Sequence, residues 1–187
     1  MYFVKKITQG YLFFFVALLI LSSCQNDTKE IDEVTQKEAI FPTEHGKKVE
    51  ILYTDSGLVR MRLTAPIMNH FTYNVKENYT EMPKGLYLEF FGDSSKVKTT
   101  LKANYGIRYE NTKKTEVKYK VVVTNASGEI LNTEQLFWDE ATRKIYTKEF
   151  VKITTKKEVL TGKGMEANED FSDWEIHDIT GHHYESN

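Results

Sequence analysis

From Lys96 to Tyr105 the chain alternates without a break: Lys96, Lys98, Thr100, Lys102 and Asn104 against Val97, Thr99, Leu101, Ala103 and Tyr105. A period of two puts the two sets on opposite faces of an extended strand, so this segment is a strand with one buried face. The same period recurs in Val59, Met61, Leu63 and Ala65 against Arg60, Arg62 and Thr64, and in Val117, Tyr119, Val121 and Val123 against Lys118 and Lys120. Turn residues separate these runs, at Asp55-Ser56-Gly57, Gly92-Asp93-Ser94, Asn111-Thr112-Lys113-Lys114, Asn125-Ala126-Ser127-Gly128 and Lys156-Lys157. Short spacings of this kind describe antiparallel hairpins. No window from 49 to 187 carries a sustained helical stripe, which disfavours βαβ units. The prediction is an all-β domain.

A degenerate internal repeat lies beneath the hairpins. Val59, Val97, Ile130 and Val159 each follow a turn, and Leu63/Ala65, Leu101/Ala103, Glu134/Leu136 and Lys163/Met165 fall four and six residues on. A turn, a strand and a return strand, repeated, wind into a sandwich or a rolled, incompletely closed barrel.

The start of the chain has a different logic. Lys5 and Lys6 precede an uncharged stretch from Tyr11 to Leu21, too short for a comfortable membrane span, and Leu21-Ser22-Ser23-Cys24 closes it. Small residues before a cysteine form a lipobox, and Cys24 is the only cysteine in the chain. Residues 1–23 are therefore read as a cleaved lipoprotein signal peptide and Cys24 as the lipidated first residue of the mature chain. Two or three acyl chains hold a protein durably, since burial contributes roughly 0.8 kcal/mol per CH₂. Residues 24–48 are polar and charged, with a break at Pro42, and read as a tether. Residues 49–187 then form one domain, with no disulfide available to it.

Chemistry-bearing patterns are sparse. His45, His70 and His177 are scattered, and His182 and His183, adjacent on a strand, point to opposite faces. No H-E-x-x-H, C-x-x-C, Gly-rich phosphate loop or G-x-S-x-G elbow occurs. Glu166, Glu169, Asp170 and Asp173 cluster in a polar loop without an EF-hand pattern. The chain carries a formal net charge of −2, and removing the leader takes only lysines from it, so nothing favours nucleic acid. No catalytic residue, metal or cofactor is expected.

Four stretches, 49–68, 81–97, 131–155 and 162–181, together resemble the LptC family. The most specific is Thr133-Glu134-Gln135-Leu136-Phe137-Trp138-Asp139 followed by Ile145-Tyr146-Thr147. That family supplies the periplasmic bridge component of lipopolysaccharide export. The resemblance implies an antiparallel, twisted β-jelly roll, open at its edges. Its hydrophobic groove would take lipopolysaccharide acyl chains from an inner-membrane ABC transporter. It also implies pairing of edge strands, near Val49 to Tyr53 and Ile176 to Tyr184, with jelly-roll periplasmic bridge proteins. Better-known members are held by a transmembrane helix; here a lipid anchor stands in its place, facing the periplasm and most simply in the inner membrane.

Covering acyl chains in water requires an apolar lining, because exposed apolar surface costs about 25 cal/mol per Å². The alternation nominates Met61, Leu63, Leu88, Phe90, Leu101, Tyr105, Tyr119, Val121 and Leu136 for it, with Ile51, Tyr53, Ile107, Ile145 and Ile153 on the same inward set. Plain core is the competing role for each. Two other functions fit the same sequence: a general periplasmic lipid or lipoprotein chaperone, and a structural envelope module with a fully packed interior.

Overall fold

The computed structural model describes residues 40–184; Cys24, the leader and most of the expected tether lie outside the described residues. Eleven strands follow one another: β1 (Glu44–Asp55), β2 (Leu58–Phe71), β3 (Tyr79–Met82), β4 (Leu86–Phe91), β5 (Val97–Ala103), β6 (Tyr105–Tyr109), β7 (Lys114–Asn125), β8 (Ile130–Asp139), β9 (Lys144–Thr154), β10 (Glu158–Asn168) and β11 (Trp174–Tyr184). Every pairing is antiparallel. The alternating segments become β2, β5 and β7, and the turn residues connect them. At Ser56-Gly57 both φ angles are positive, as a two-residue hairpin turn demands. Asn125 shapes the β7–β8 turn, its Oδ1 accepting from the N–H groups of Ser127 and Glu129. β1 starts at Glu44, ahead of the alternation at Val49, because polar residues 44–47 find partners along the full length of β2.

The sheet rolls because long strands change neighbours along their length. β2 pairs with β4 over Met61–Thr64 and with β3 over Asn69–Phe71. β7 pairs with β6 through Lys118 and with β5 from Val122 onward. Between its two neighbours on that side β2 carries Pro66, where the missing N–H costs no ladder bond to either. The sheet thus winds round until β6, at the end of the path, pairs again with β7. Both outer borders stay bare among the described residues: β1 pairs only with β2, and β11 only with β10. This is the jelly-roll-like all-β architecture with unsealed edges that the sequence predicts.

A line of register shifts creases the roll. They fall between Lys118 and Val121 in β7, Thr133 and Phe137 in β8, Lys163 and Met165 in β10, and Thr161 and Gly162 opposite β11. Tyr119 and Lys120 adopt φ of 65° and 54° at the β7 shift. Such bulges bend strands and re-aim side chains. Gly181 lies at the β10–β11 shift, where a Cβ would meet Thr161 Oγ1 at 2.5 Å, so the close approach needs glycine.

Candidate functional site

One row of side chains crosses the inner face from the β1 edge as far as β10. Cross-strand partners link Ile51, Leu63, Leu88, Leu101, Val123, Leu131, Ile153 and Leu160 in order. Every member is aliphatic, as one face of a half-buried sheet requires. Their burial differs sharply. Leu131 and Ile153 are completely buried, whereas Ile51 on β1 is 43% exposed and Tyr53, two residues on, is 58% exposed. The apolar lining therefore runs past the part of the roll that covers it and reaches water on the bare strand β1.

The nominated residues divide accordingly. Leu88, Leu101, Val121 and Leu136 are fully buried, while Met61, Leu63 and Phe90 are half-buried and pack against that cluster. Ile107, Ile145 and Ile153 are buried as well. Tyr105 is half-buried, with its hydroxyl donating to Glu81 Oε1 at 2.9 Å. Burial first, and then that hydrogen bond, push its phenol above the ordinary value, so it stays a neutral donor. Tyr119 is the correction. The alternation puts it inward, but it is 57% exposed, because its left-handed backbone at the β7 bulge turns it out of the inner set. Its ring meets the edge of Tyr105 at 6.4 Å.

Two spaces open on this lining. Between the buried halves lies a cavity of about 20 Å³, walled by Leu88, Phe90, Leu101, Val123, Leu136 and Trp138, with Thr99, Thr115, Val117, Ile145 and Glu169 completing it. That is room for roughly one water molecule. Trp138 Nε1 is buried there with no hydrogen-bond partner. On the β1 side a wider, open groove of about 410 Å³ is formed by Glu44, His45, Gly46, Val49, Met68, His70 and Thr80. Its rim is polar: His45 Nδ1 and Asn69 Oδ1 lie 2.7 Å apart, and His70 Nδ1 sits 3.0 Å from Thr80 Oγ1. Gly46 keeps the groove clear, since a Cβ would press on Val49 Cγ2 at 2.6 Å. The alternation misses this groove because the inward set passes from Ala65 to Met68 across Pro66.

An oily floor with a polar rim suits an amphipathic ligand. The rest of the surface is conventional, with ion pairs such as the exposed Arg60–Asp93 at 2.6 Å and the part-buried Arg62–Glu89 at 2.5 Å. The acidic cluster is dispersed: Glu166 pairs with Lys144, Glu169 with Arg143, and Asp170 accepts from Ser172. Among the described residues no three His, Cys, Asp or Glu are placed to hold a metal ion, and no helix is long and apolar enough to cross a membrane.

With this geometry in place, comparison with known families adds the class of the protein. Residues 11–185 match the LptC family, described as lipopolysaccharide-assembly, LptC-related. The chain belongs to that family. Membership gives it a role in lipopolysaccharide transport at the cell envelope, within a family of transport components. No curated protein matches it.

Proposed function

We propose that this protein is a lipid-anchored periplasmic bridge component that accepts lipopolysaccharide from an inner-membrane ABC transporter and hands it toward the outer membrane. Cys24 carries the anchor in this reading, residues 24–48 form the tether, and the roll is the carrier. The observation that carries the proposal is the inner apolar row, sealed at Leu131 and Ile153 and uncovered at Ile51 on a strand with no outer neighbour among the described residues. A tail entering from the β1 side meets Ile51, Tyr53, Met61 and Leu63 before the closed core. A like domain paired to β1 or β11 by main-chain hydrogen bonds would lengthen the lining without new side-chain design. A passive lining equilibrates its cargo, so direction comes from the transporter's ATP hydrolysis.

The test is photocrosslinking in cells from residues substituted at Ile51, Met61 and Leu63, with Lys102 as the outward control. Lipopolysaccharide adducts from the first three and none from Lys102 are expected. Adducts with acylated proteins alone would replace this function with that of a lipoprotein chaperone, and absence of any lipid adduct would leave a structural module. Cys24→Ser is expected to abolish palmitate labelling while leaving the thermal melt of the domain unchanged.

A further inference from the structure

The bulkiest fully buried side chain among the described residues, Phe171, belongs to no strand. It comes from the short link 169–173 between β10 and β11. Cores are ordinarily filled from regular elements, where packing is shared along the strand; here a loop supplies the largest piece. The backbone at Phe171 has φ 53°, a left-handed conformation that a bulky residue adopts only under constraint. The constraint is visible. Asn125 Nδ2 on β7 donates to the Phe171 carbonyl at 3.0 Å, and Thr99 Oγ1 on β5 donates to the Asp170 carbonyl. Trp174 stacks on the Phe171 ring at 6.4 Å, with its Nε1 donating to Glu129 Oε2 at 3.2 Å. The link thus leaves β10, crosses to the β5–β7 side of the roll, and sets Glu169 into the wall of the small cavity.

That cavity cannot hold an acyl chain as it stands. Something must leave before a tail can enter, and the strands around it are tied by ladders on both sides. The link has no ladder partner: its ties to the rest of the roll are the Thr99 and Asn125 bonds and the Arg143–Glu169 pair, beside the backbone bonds of its own turn from Phe171 N–H to Asn168 O and from Asn168 N–H to Asp173 O. We propose that the link 169–173 is a removable plug, and that the volume Phe171 vacates, joined to the small cavity that Thr99, Leu101, Trp138 and Glu169 line, is the subsite that receives the terminal segment of a fatty acyl chain. This rests on the lipid-carrying function above. Swinging out relieves the left-handed Phe171 and frees the Thr99 hydroxyl, while Asn125 keeps its bonds to Glu129 and to its own turn.

The chain has two tryptophans, Trp138 in the cavity wall and Trp174 against the plug, so each can be observed alone. Trp138→Phe removes a ring nitrogen that bonds nothing and leaves Trp174 as the reporter. The unmodified full-length protein is titrated with detergent-dispersed rough lipopolysaccharide and its binding measured by retention of radiolabelled lipid; the Trp138→Phe protein, matched to it in retention, then reports Trp174 emission. Retained lipid with a red shift of Trp174 emission, easier acrylamide quenching and faster amide exchange over 169–173 is the expected result. Retained lipid with Trp174 and those amides unchanged would overturn the plug and leave the carrier standing; no retained lipid would remove both. Thr99→Val, which cuts one hold on the link without altering volume, is expected to speed lipid uptake. Unchanged or slower uptake in a normally folded Thr99→Val protein also overturns the proposal.

Discussion

Ile51 and Ile153 occupy the same apolar row on the same sheet face, yet one stands in water and the other is sealed. The difference is not chemical, since both are isoleucines in β-strands with aliphatic partners. Ile153 has strands on both sides of it and the rest of the roll over it, whereas Ile51 sits on β1, beyond which no strand pairs among the described residues. Side-chain type sets which face a residue takes; cover, supplied by distant strands, sets whether that face is dry. The consequence for function is that one lining serves as core at one end and as a docking surface at the other.

Substitutions can break this contrast, and the largest effect is expected within the covered half. Leu101→Asp buries an unpaired carboxylate, at a cost of several kcal/mol against a total stability of about 5–15 kcal/mol, so the domain should not fold. Lys102→Asp, one residue away on the outer face, should stay within about 0.5 kcal/mol. Equal urea midpoints for the two would show the register of β5 to be wrong. Next comes the matched pair: Ile153→Ala should cost about 2–5 kcal/mol, and Ile51→Ala less than about 1 kcal/mol, by urea unfolding. Lipid retention should reverse the order of importance, falling with Ile51→Ala while a folded Ile153→Ala keeps it.

Smaller effects probe the crease and the turns. Lys120→Gly places glycine where φ is 54°, and a gain of up to about 1 kcal/mol in thermal unfolding is expected. The smallest effect is pH-dependent. Asp139 accepts from the N–H groups of Thr142 and Ala141 at 3.1 Å, which, with Lys114 nearby, holds its carboxyl below the usual carboxylate range. A depressed folded-state value adds stability that is complete above the unfolded value of about 3.9 and is lost as pH falls through the lower folded one. Asp139→Asn should therefore lower the melting temperature at neutral pH, and the gap to the parent should shrink as the pH is taken below about 3.9. A gap that stays constant as the pH falls would refute the assignment.

Much of the roll is visible in residue order, because a period of two survives wherever a strand has one dry face. β2, β5 and β7 announce themselves this way, and Asn125, Gly128 and Ser56-Gly57 mark their turns. Tyr119 was misplaced because its bulge uses Tyr119 and Lys120 in left-handed conformations, with no glycine to signal it. The 410 Å³ groove was hidden by the shift of the inward set across Pro66. Phe171 is not legible in the sequence, because a single aromatic among Glu169, Asp170 and Asp173 reads as a solvated acidic loop; its burial depends on Thr99 and Asn125, far off in sequence.

The uncovered backbone of β1 also has a price outside transport. A long strand with one free row of N–H and C=O groups is a template for any similar strand, including another copy of itself. Lys47, Lys48 and Glu50 put charge along it, the feature by which edge strands resist pairing with identical molecules. Neutralising them should make fibril growth steeply dependent on protein concentration.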